Sequence, residues 1–256
     1  MSLLEVKNLK KVYTTRLGGN KVQALDNVNF SVEQGEYVAI MGESGSGKTT
    51  LLNIMASLDR PTAGQVILSG RDMAEIRQKD LCAFRRDNLG FVFQDFNLLD
   101  TLTIEENIGL ALTLGHGDAG AVQGRVREVA GKLGITDILS RFPCQVSGGQ
   151  KQRAACARAI VAGQSLLLAD EPTGALDSRA SKNLLEIMSA MNQDMGATIL
   201  MVTHDAYSAS YARRVLFLKD GRVFNELLRG ERGRPVFYHE ILDVLAALGG
   251  DVSDVI

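Results

Sequence analysis

The stretch Gly42-Glu43-Ser44-Gly45-Ser46-Gly47-Lys48-Thr49 decides how the rest of the chain is read. It follows an uncharged apolar run, Tyr37-Val38-Ala39-Ile40-Met41, which predicts a buried strand. After it, Thr50-Leu51-Leu52-Asn53-Ile54-Met55-Ala56 predicts a helix. Strand, glycine loop and helix in that order form the setting of a phosphate-binding loop. Glycines let the backbone curl so that successive N–H groups face inward, and the helix start adds partial positive charge. Lys48 is then placed to reach the β- and γ-phosphates of a nucleotide, and the Thr49 hydroxyl to ligate Mg2+. The expected nucleotide contacts in this stretch are Gly42, Ser44, Gly45, Ser46, Gly47, Lys48, Thr49 and Thr50. A glycine-rich turn with a chance lysine is the bland alternative, and the flanking strand and helix weigh against it.

Working outward, the 256 residues suffice for one large α/β domain or two small ones. Hydrophobic content of 45% and charged content of 23% suit a soluble globular chain. A net charge of −2 gives no bulk reason to expect nucleic-acid binding. Three cysteines, Cys82, Cys144 and Cys156, form no CxxC and no metal spacing, which points to a reducing compartment. Each reads as a small packed side chain rather than a nucleophile. No signal-peptide core and no apolar run near the ~18 residues of a membrane span is visible. The expectation is a cytosolic chain whose membrane role, if any, needs a separate partner.

Toward the amino terminus, Leu4–Leu9 and Val28–Val32 alternate and predict half-buried antiparallel strands, with a hairpin loop over Arg16–Lys21. Tyr13, just before that loop, either covers sheet or stacks on an adenine base. Toward the carboxyl terminus, Gln65–Leu68 and Leu89–Phe93 read as strands and Lys79–Arg86 as a basic helix. Gln94 ends the second strand, with an amide oxygen able to touch a metal or water. Residues 96–140 turn helical, with stripes at Ile104, Ile108, Leu112 and at Val122, Val126, Val129, Leu133. Phe96-Asn97-Leu98-Leu99 is either core or an exposed docking patch.

Ser147-Gly148-Gly149-Gln150 opens another helical run, a second anion site if it is more than an ordinary N-cap. Leu166-Leu167-Leu168-Ala169 delivers Asp170 and Glu171 at a strand end, as in a parallel α/β sheet. There Asp170 is positioned for Mg2+ and Glu171 to polarise the attacking water. Thr198–Thr203 repeats the pattern and ends at His204, a candidate for the γ-phosphate or the water. Val215–Leu218 and Arg222–Phe224 flank an Asp220-Gly221 hairpin turn.

Taken as a set, these motifs resemble those of an ATP-binding-cassette (ABC) ATPase over about residues 3–228. They are the P-loop Gly42–Thr49, the Q-loop Gln94, the signature Val146-Ser147-Gly148-Gly149-Gln150, the acids Asp170 and Glu171, the D-loop Ala175-Leu176-Asp177 and the switch His204. Val146 replaces the commoner Leu, apolar for apolar. The resemblance implies an α/β fold: a RecA-like parallel-sheet core, an N-terminal antiparallel β subdomain and a helical subdomain at about 96–160, within a cassette at 1–228. A helical extension follows at 229–256. It implies ATP and Mg2+ as cofactors, Tyr13 as the adenine stack, and Glu171, His204, Lys48 and Gln94 as catalytic residues. Mg2+ falls to Thr49, Gln94 and Asp170. A second copy, packed head to tail, is implied to supply Ser147, Gly148, Gly149, Gln150 and Asp177 to the nucleotide.

Met41–Lys48 and Leu58–Thr62 look like the macrolide-exporter and lipoprotein-release group. The tail, Asp220–Leu227, then Arg229-Gly230 and Phe237–Gly249, is similar to ATPases of bacitracin-type antimicrobial-peptide resistance and sensing transporters. That implies a large integral membrane permease as partner, a sensor kinase reached through it, and a place on the inner face of the cell membrane. Lipoprotein-release, macrolide-export, importer and cell-division ATPases share the same motifs. A soluble ATPase acting on DNA or ribosomes is disfavoured by the single cassette and the absence of a long coiled coil. Phe237, Ile241, Val244 and Leu248 form a helical stripe, either an intramolecular cover or a partner site. Val252–Ile256 is expected to fray.

Overall fold

In the computed structural model, which describes residues 2–14, 19, 21–93, 96–113, 119–174 and 176–249, three of the apolar runs become fully formed strands. Tyr37–Met41 and Thr198–Val202 are buried at every residue, and Leu166–Asp170 at all but the terminal acid. In chain order the strands are β1 (Ser2–Thr14), β2 (Lys21–Glu33), β3 (Tyr37–Met41), β4 (Ala63–Leu68), β5 (Arg71–Asp72), β6 (Leu89–Phe93), β7 (Leu166–Asp170), β8 (Thr198–Val202), β9 (Arg214–Lys219) and β10 (Arg222–Leu228). The α-helices are α1 (Lys48–Met55), α2 (Leu81–Asn88), α3 (Ile104–Thr113), α4 (Ala119–Lys132), α5 (Gly148–Ile160), α6 (Ser178–Met195), α7 (Ala206–Ala209) and α8 (Arg234–Gly249). Packing divides the chain into two units, Met1–Ile76 with Leu200–Ile256, and Arg77–Ile199.

The first unit holds a four-stranded antiparallel sheet in the order β2-β1-β4-β5. Its alternation is that of a one-sided sheet: Leu4, Val6, Leu9, Leu25, Val28 and Val32 are buried, with polar residues between them. The strands run well beyond the alternating cores, since both are 13 residues long. In the same unit β9 pairs in parallel with β3 and antiparallel with β10. The β9–β10 turn places Asp220 at φ 48° and Gly221 at φ 72°, the left-handed pair of a type I′ hairpin. The carboxyl ends of β3 and β8 are joined by the Thr203 N–H donating to Ile40 O at 3.1 Å. Helix α8 packs on α7 and buries Phe237 and Ile241 completely, so its stripe is an intramolecular cover.

In the second unit β6 and β7 pair in parallel, with Leu89 opposite Leu166 and Phe93 opposite Asp170. Gly90 is required there, because a Cβ would lie 2.1 Å from Ala159 O of α5. Ile104, Ile108, Val126 and Val129 form the core among α3, α4 and α5. Asn107 is buried in that core, and its amide donates to the carbonyls of Leu99, Leu102 and Thr103 at 2.9–3.1 Å. Its carbonyl accepts from Leu99 N–H at 2.7 Å. Segment 96–99 is therefore anchored but not core: Phe96 and Leu98 are half-buried and Leu99 is 47% exposed.

The cysteines divide differently from the sequence reading. Cys156 is packed, and burial pushes its thiol up to about 12, whereas Cys82 and Cys144 are exposed. Among the described residues no helix is long and apolar enough to cross a membrane. Most of the hairpin loop at 16–21 and the end at 252–256 lie outside the described residues.

Candidate nucleotide site

The phosphate loop lies in the first unit, between β3 and α1. Gly42 has no room for a side chain, since a Cβ would meet Leu218 O at 2.3 Å and Ser46 Oγ at 2.6 Å. Gly47 is equally constrained, at φ 103° with Ala24 O 2.5 Å from the position of a Cβ. Gly45 also lies in the left-handed region, at φ 82°. These conformations turn the loop back on itself. The turn is closed by Ser46 N–H to Glu43 O at 3.2 Å and by Gly221 N–H to Ser46 O at 3.1 Å.

Helix α1 then starts without a side-chain cap and without an acid in its first turn. Its first N–H groups thus have no capping side chain and no acid in their own turn. Lys48 is buried, and its Nζ donates to the carbonyls of Gly42 and Glu43, each at 2.7 Å. Ser46 Oγ is buried with no hydrogen-bond partner. A buried cation and an unpartnered buried hydroxyl in a glycine loop at a helix start fit a phosphate group. Thr49 is exposed and Thr50 half-buried on the same turn.

Tyr13, 41% exposed at the end of β1, is held rather than loose. Its hydroxyl donates to Asp59 Oδ2 at 2.7 Å, and Lys11 Nζ lies 4.7 Å from the ring centroid. Lys11 also pairs with Asp59 at 2.6 Å. Burial raises the Asp59 proton affinity, but the hydrogen bonds from Lys11, Tyr13 and the Arg60 N–H outweigh it and hold the carboxyl below its ordinary range. Burial, then the Asp59 contact, push the Tyr13 phenol above its ordinary value. His204, after β8, is exposed, and the Asp205 carboxylate beside it caps α7.

The remaining sites lie in the second unit. Asp170 ends β7, and Glu171 follows at φ 44°, its carbonyl accepting from Gly174 N–H at 3.0 Å. Ser147 caps α5 in a reciprocal box: its Oγ accepts from Gln150 N–H at 3.3 Å, and Gln150 Oε1 from Ser147 N–H at 2.9 Å. Asp177 caps α6 through Ala180 N–H at 2.8 Å. Ser147, Gly149, Arg153, Leu176 and Asp177 line one groove of about 400 Å³. Ser147 is thus an N-cap, its hydroxyl serving the helix, and the groove opens beside it. Gln94 lies outside the described residues, as does Ala175 of the D-loop.

Sequence reasoning missed three supports. Gln152 Nε2, buried in α5, donates to Pro172 O at 3.3 Å and so ties the signature helix to the turn after Glu171. Arg158 of α5 donates to the carbonyls of Phe96 and Asn97 at 2.9 and 2.5 Å, and burial lowers its proton affinity. Asp59 orders Tyr13 from 46 positions away. Only a charged residue inside the apolar run Ala154–Ile160 signalled Arg158; the other two carried no local signal.

A family model described as "ABC transporter" matches residues 25–174. The chain belongs to the ABC transporter family. It is an ATPase of that family and has its α/β cassette fold, with an antiparallel β subdomain and a helical one. The ABC transporter ATP-binding protein YxdL of Bacillus subtilis (strain 168) is 53% identical over 99% of this chain and 97% of its own length. The bacitracin export ATP-binding protein BceA of Halalkalibacterium halodurans is 45% identical over 99% of this chain and 100% of its own. A dimeric post-hydrolysis structure of the ATP-binding cassette MJ0796, bound to ADP and Pi, superposes with a TM-score of 0.78 at 38% identity. It covers 88% of this ABC ATPase and 98% of its own chain.

Proposed function

We propose that this ABC ATPase binds ATP with Mg2+, closes head to tail on a second copy, and drives a separate permease of the antimicrobial-peptide (bacitracin-type) resistance and sensing group. The observation that carries the subgroup is the likeness to the bacitracin-export ATPase over 99% of this chain, tail included. The family model, by contrast, ends at residue 174.

Each residue's part follows from its chemistry. The amides of Gly42–Thr50 and the Ser46 hydroxyl take the phosphate oxygens, and Lys48 neutralises their charge. The Tyr13 ring, fixed by Asp59 and Lys11, offers a flat face to adenine. Thr49 and Asp170 are oxygen donors, the class Mg2+ takes, and with Gln94 they would hold it. Bound there, Mg2+ offsets the charge on the β- and γ-phosphates. Glu171 orients the attacking water and accepts its proton, and His204 hydrogen-bonds the γ-phosphate. Ser147, Gly148, Gly149 and Gln150, with Asp177, complete the site of the other copy. The sharing of one groove by Ser147, Gly149 and Asp177 supports that division of labour.

Motion passes to the permease through the surface near Gln94, Phe96–Leu99 and Leu102, where Leu99 is exposed. The chain then sits on the cytoplasmic face through that permease, and a sensor kinase couples through it as well. The test is a pull-down from membranes with a tagged Glu171→Gln chain and Mg-ATP. Recovery of a multi-span permease with a large extracellular domain supports the reading. Recovery of ribosomes, DNA or the ATPase alone contradicts it.

A further inference from the structure

We infer that α8 is a positioning strut for the nucleotide site, with Arg234 acting through Tyr207 and Tyr211 on the segment that carries His204. The proposal rests on the ATPase reading above. It concerns a helix outside the region the family model matches.

The amino end of α8 is seated on aromatic rings. The Arg234 guanidinium carbon lies 4.2 Å from the Tyr211 ring centroid and 5.1 Å from that of Tyr207. The rings meet edge to face at 5.6 Å, with their hydroxyls 3.1 Å apart. Arg234 Nη1 is buried with no hydrogen-bond partner. Burial first, then the like charges of Arg213 and Arg234, lower the proton affinity of neighbouring Arg229. A guanidinium so placed is attracted by the quadrupoles of the rings beneath it.

Those rings belong to the switch segment. Asp205, adjacent to His204, accepts from Tyr207 N–H at 3.1 Å, Ser208 N–H at 2.9 Å and Ser208 Oγ at 2.6 Å. Its own N–H donates to Thr203 Oγ1 at 3.1 Å. His204 therefore sits between a residue pinned to β3 and a cap whose helix is pressed by Arg234.

The carboxyl end of α8 reaches the phosphate loop. Leu245 and Leu248 line a cavity of about 170 Å³ together with Glu43, Ser44, Gly45 and Ser46. Lys219 Nζ donates to Leu248 O at 3.0 Å. Between the two ends Phe237 and Ile241 are fully buried, so the helix is anchored independently of Arg234. One helix of 16 residues, about 24 Å long, thus packs on the switch segment at one end and lines a cavity beside the phosphate loop at the other. Phosphoryl transfer depends on such placement, and a shift of about 1 Å is worth on the order of 100-fold in rate.

The test uses the full chain with Mg-ATP. Arg234→Gln removes the charge and keeps a polar chain of similar reach; Arg234→Lys keeps the charge. Turnover, KM and the affinity for a fluorescent non-hydrolysed ATP analogue are measured beside the thermal midpoint. The expected result for Arg234→Gln is a fall in kcat of about tenfold with analogue affinity within about twofold. Arg234→Lys should recover most of the loss, because an ammonium over a ring is still attracted. Unchanged kcat in folded Arg234→Gln overturns the proposal. So does a kcat that falls only in step with the thermal midpoint and is not recovered by lysine. If Arg234→Gln does not fold, Tyr207→Phe and Tyr207→Leu decide the matter: turnover kept by Phe and lost by Leu supports the strut, and equal turnover overturns it. Absent turnover in the wild-type chain would instead remove the ATPase reading on which the proposal stands.

Discussion

Glu171 stands at φ 44°, a backbone region that a residue with a Cβ enters at a cost of about 1–3 kcal/mol. The turn closed by Gly174 N–H holds it there, one residue beyond a strand end, where a carboxylate can be aimed at a reacting water. Glu171→Gln should keep ATP affinity and lower kcat by at least about 100-fold, the contribution of a general base, checked by phosphate release beside nucleotide titration. Gly42→Ala forces a Cβ against Leu218 O at 2.3 Å and should cost about 1–3 kcal/mol in a urea titration, with weakened ATP binding. The pH dependence of Asp59 has a definite sign. Its folded proton affinity is lowered, so its stabilisation is full above the unfolded value of about 3.9 and is lost as pH falls through the folded one. The stability gap between wild type and Asp59→Asn should therefore be constant near neutrality and close below about pH 4, read by urea melts across pH.

At the scale of elements, legibility tracked burial. β3, β7 and β8 are apolar because both of their faces are covered, so their runs stood out in the sequence. The full reach of β1 and β2 did not, since their polar outer thirds carry no alternation. Phe96 and Asn97, at φ 59° and 49°, are held left-handed by Arg158, a contact across 62 and 61 positions that no local pattern encodes. The P-loop was readable because its motif is contiguous in the sequence, although the atoms that demand glycine at 42 and 47, Leu218 O and Ala24 O, lie far along the chain; the cap of Ser147 was readable from its spacing to Gln150. The stripe on α8 was readable as a period, but its role needed Phe237 and Ile241 to be seen buried. Phe237→Ala should cost about 3–5 kcal/mol in a urea titration, the range for emptying a buried aromatic site. A value near zero would mean that α8 is not anchored by this residue.

At the scale of the whole molecule, the first unit is built from the two ends of the sequence and the second from its middle, a division no composition shift announces. The candidate residues are shared between them: Tyr13, the phosphate loop and His204 in the first, the acids, signature and Asp177 in the second. One copy carries a single phosphate loop, and Ser147 and Asp177 line a groove of their own in the second unit. In the proposed dimer each copy completes its neighbour's pocket. The most direct test is the solution mass of full-length Glu171→Gln by light scattering, with and without saturating Mg-ATP, alone and with its permease. One chain mass is expected without nucleotide, and with it twice that mass for the free protein or two copies per permease in the complex. A Glu171→Gln chain that binds ATP yet stays a single copy in both settings would contradict the proposed dimer.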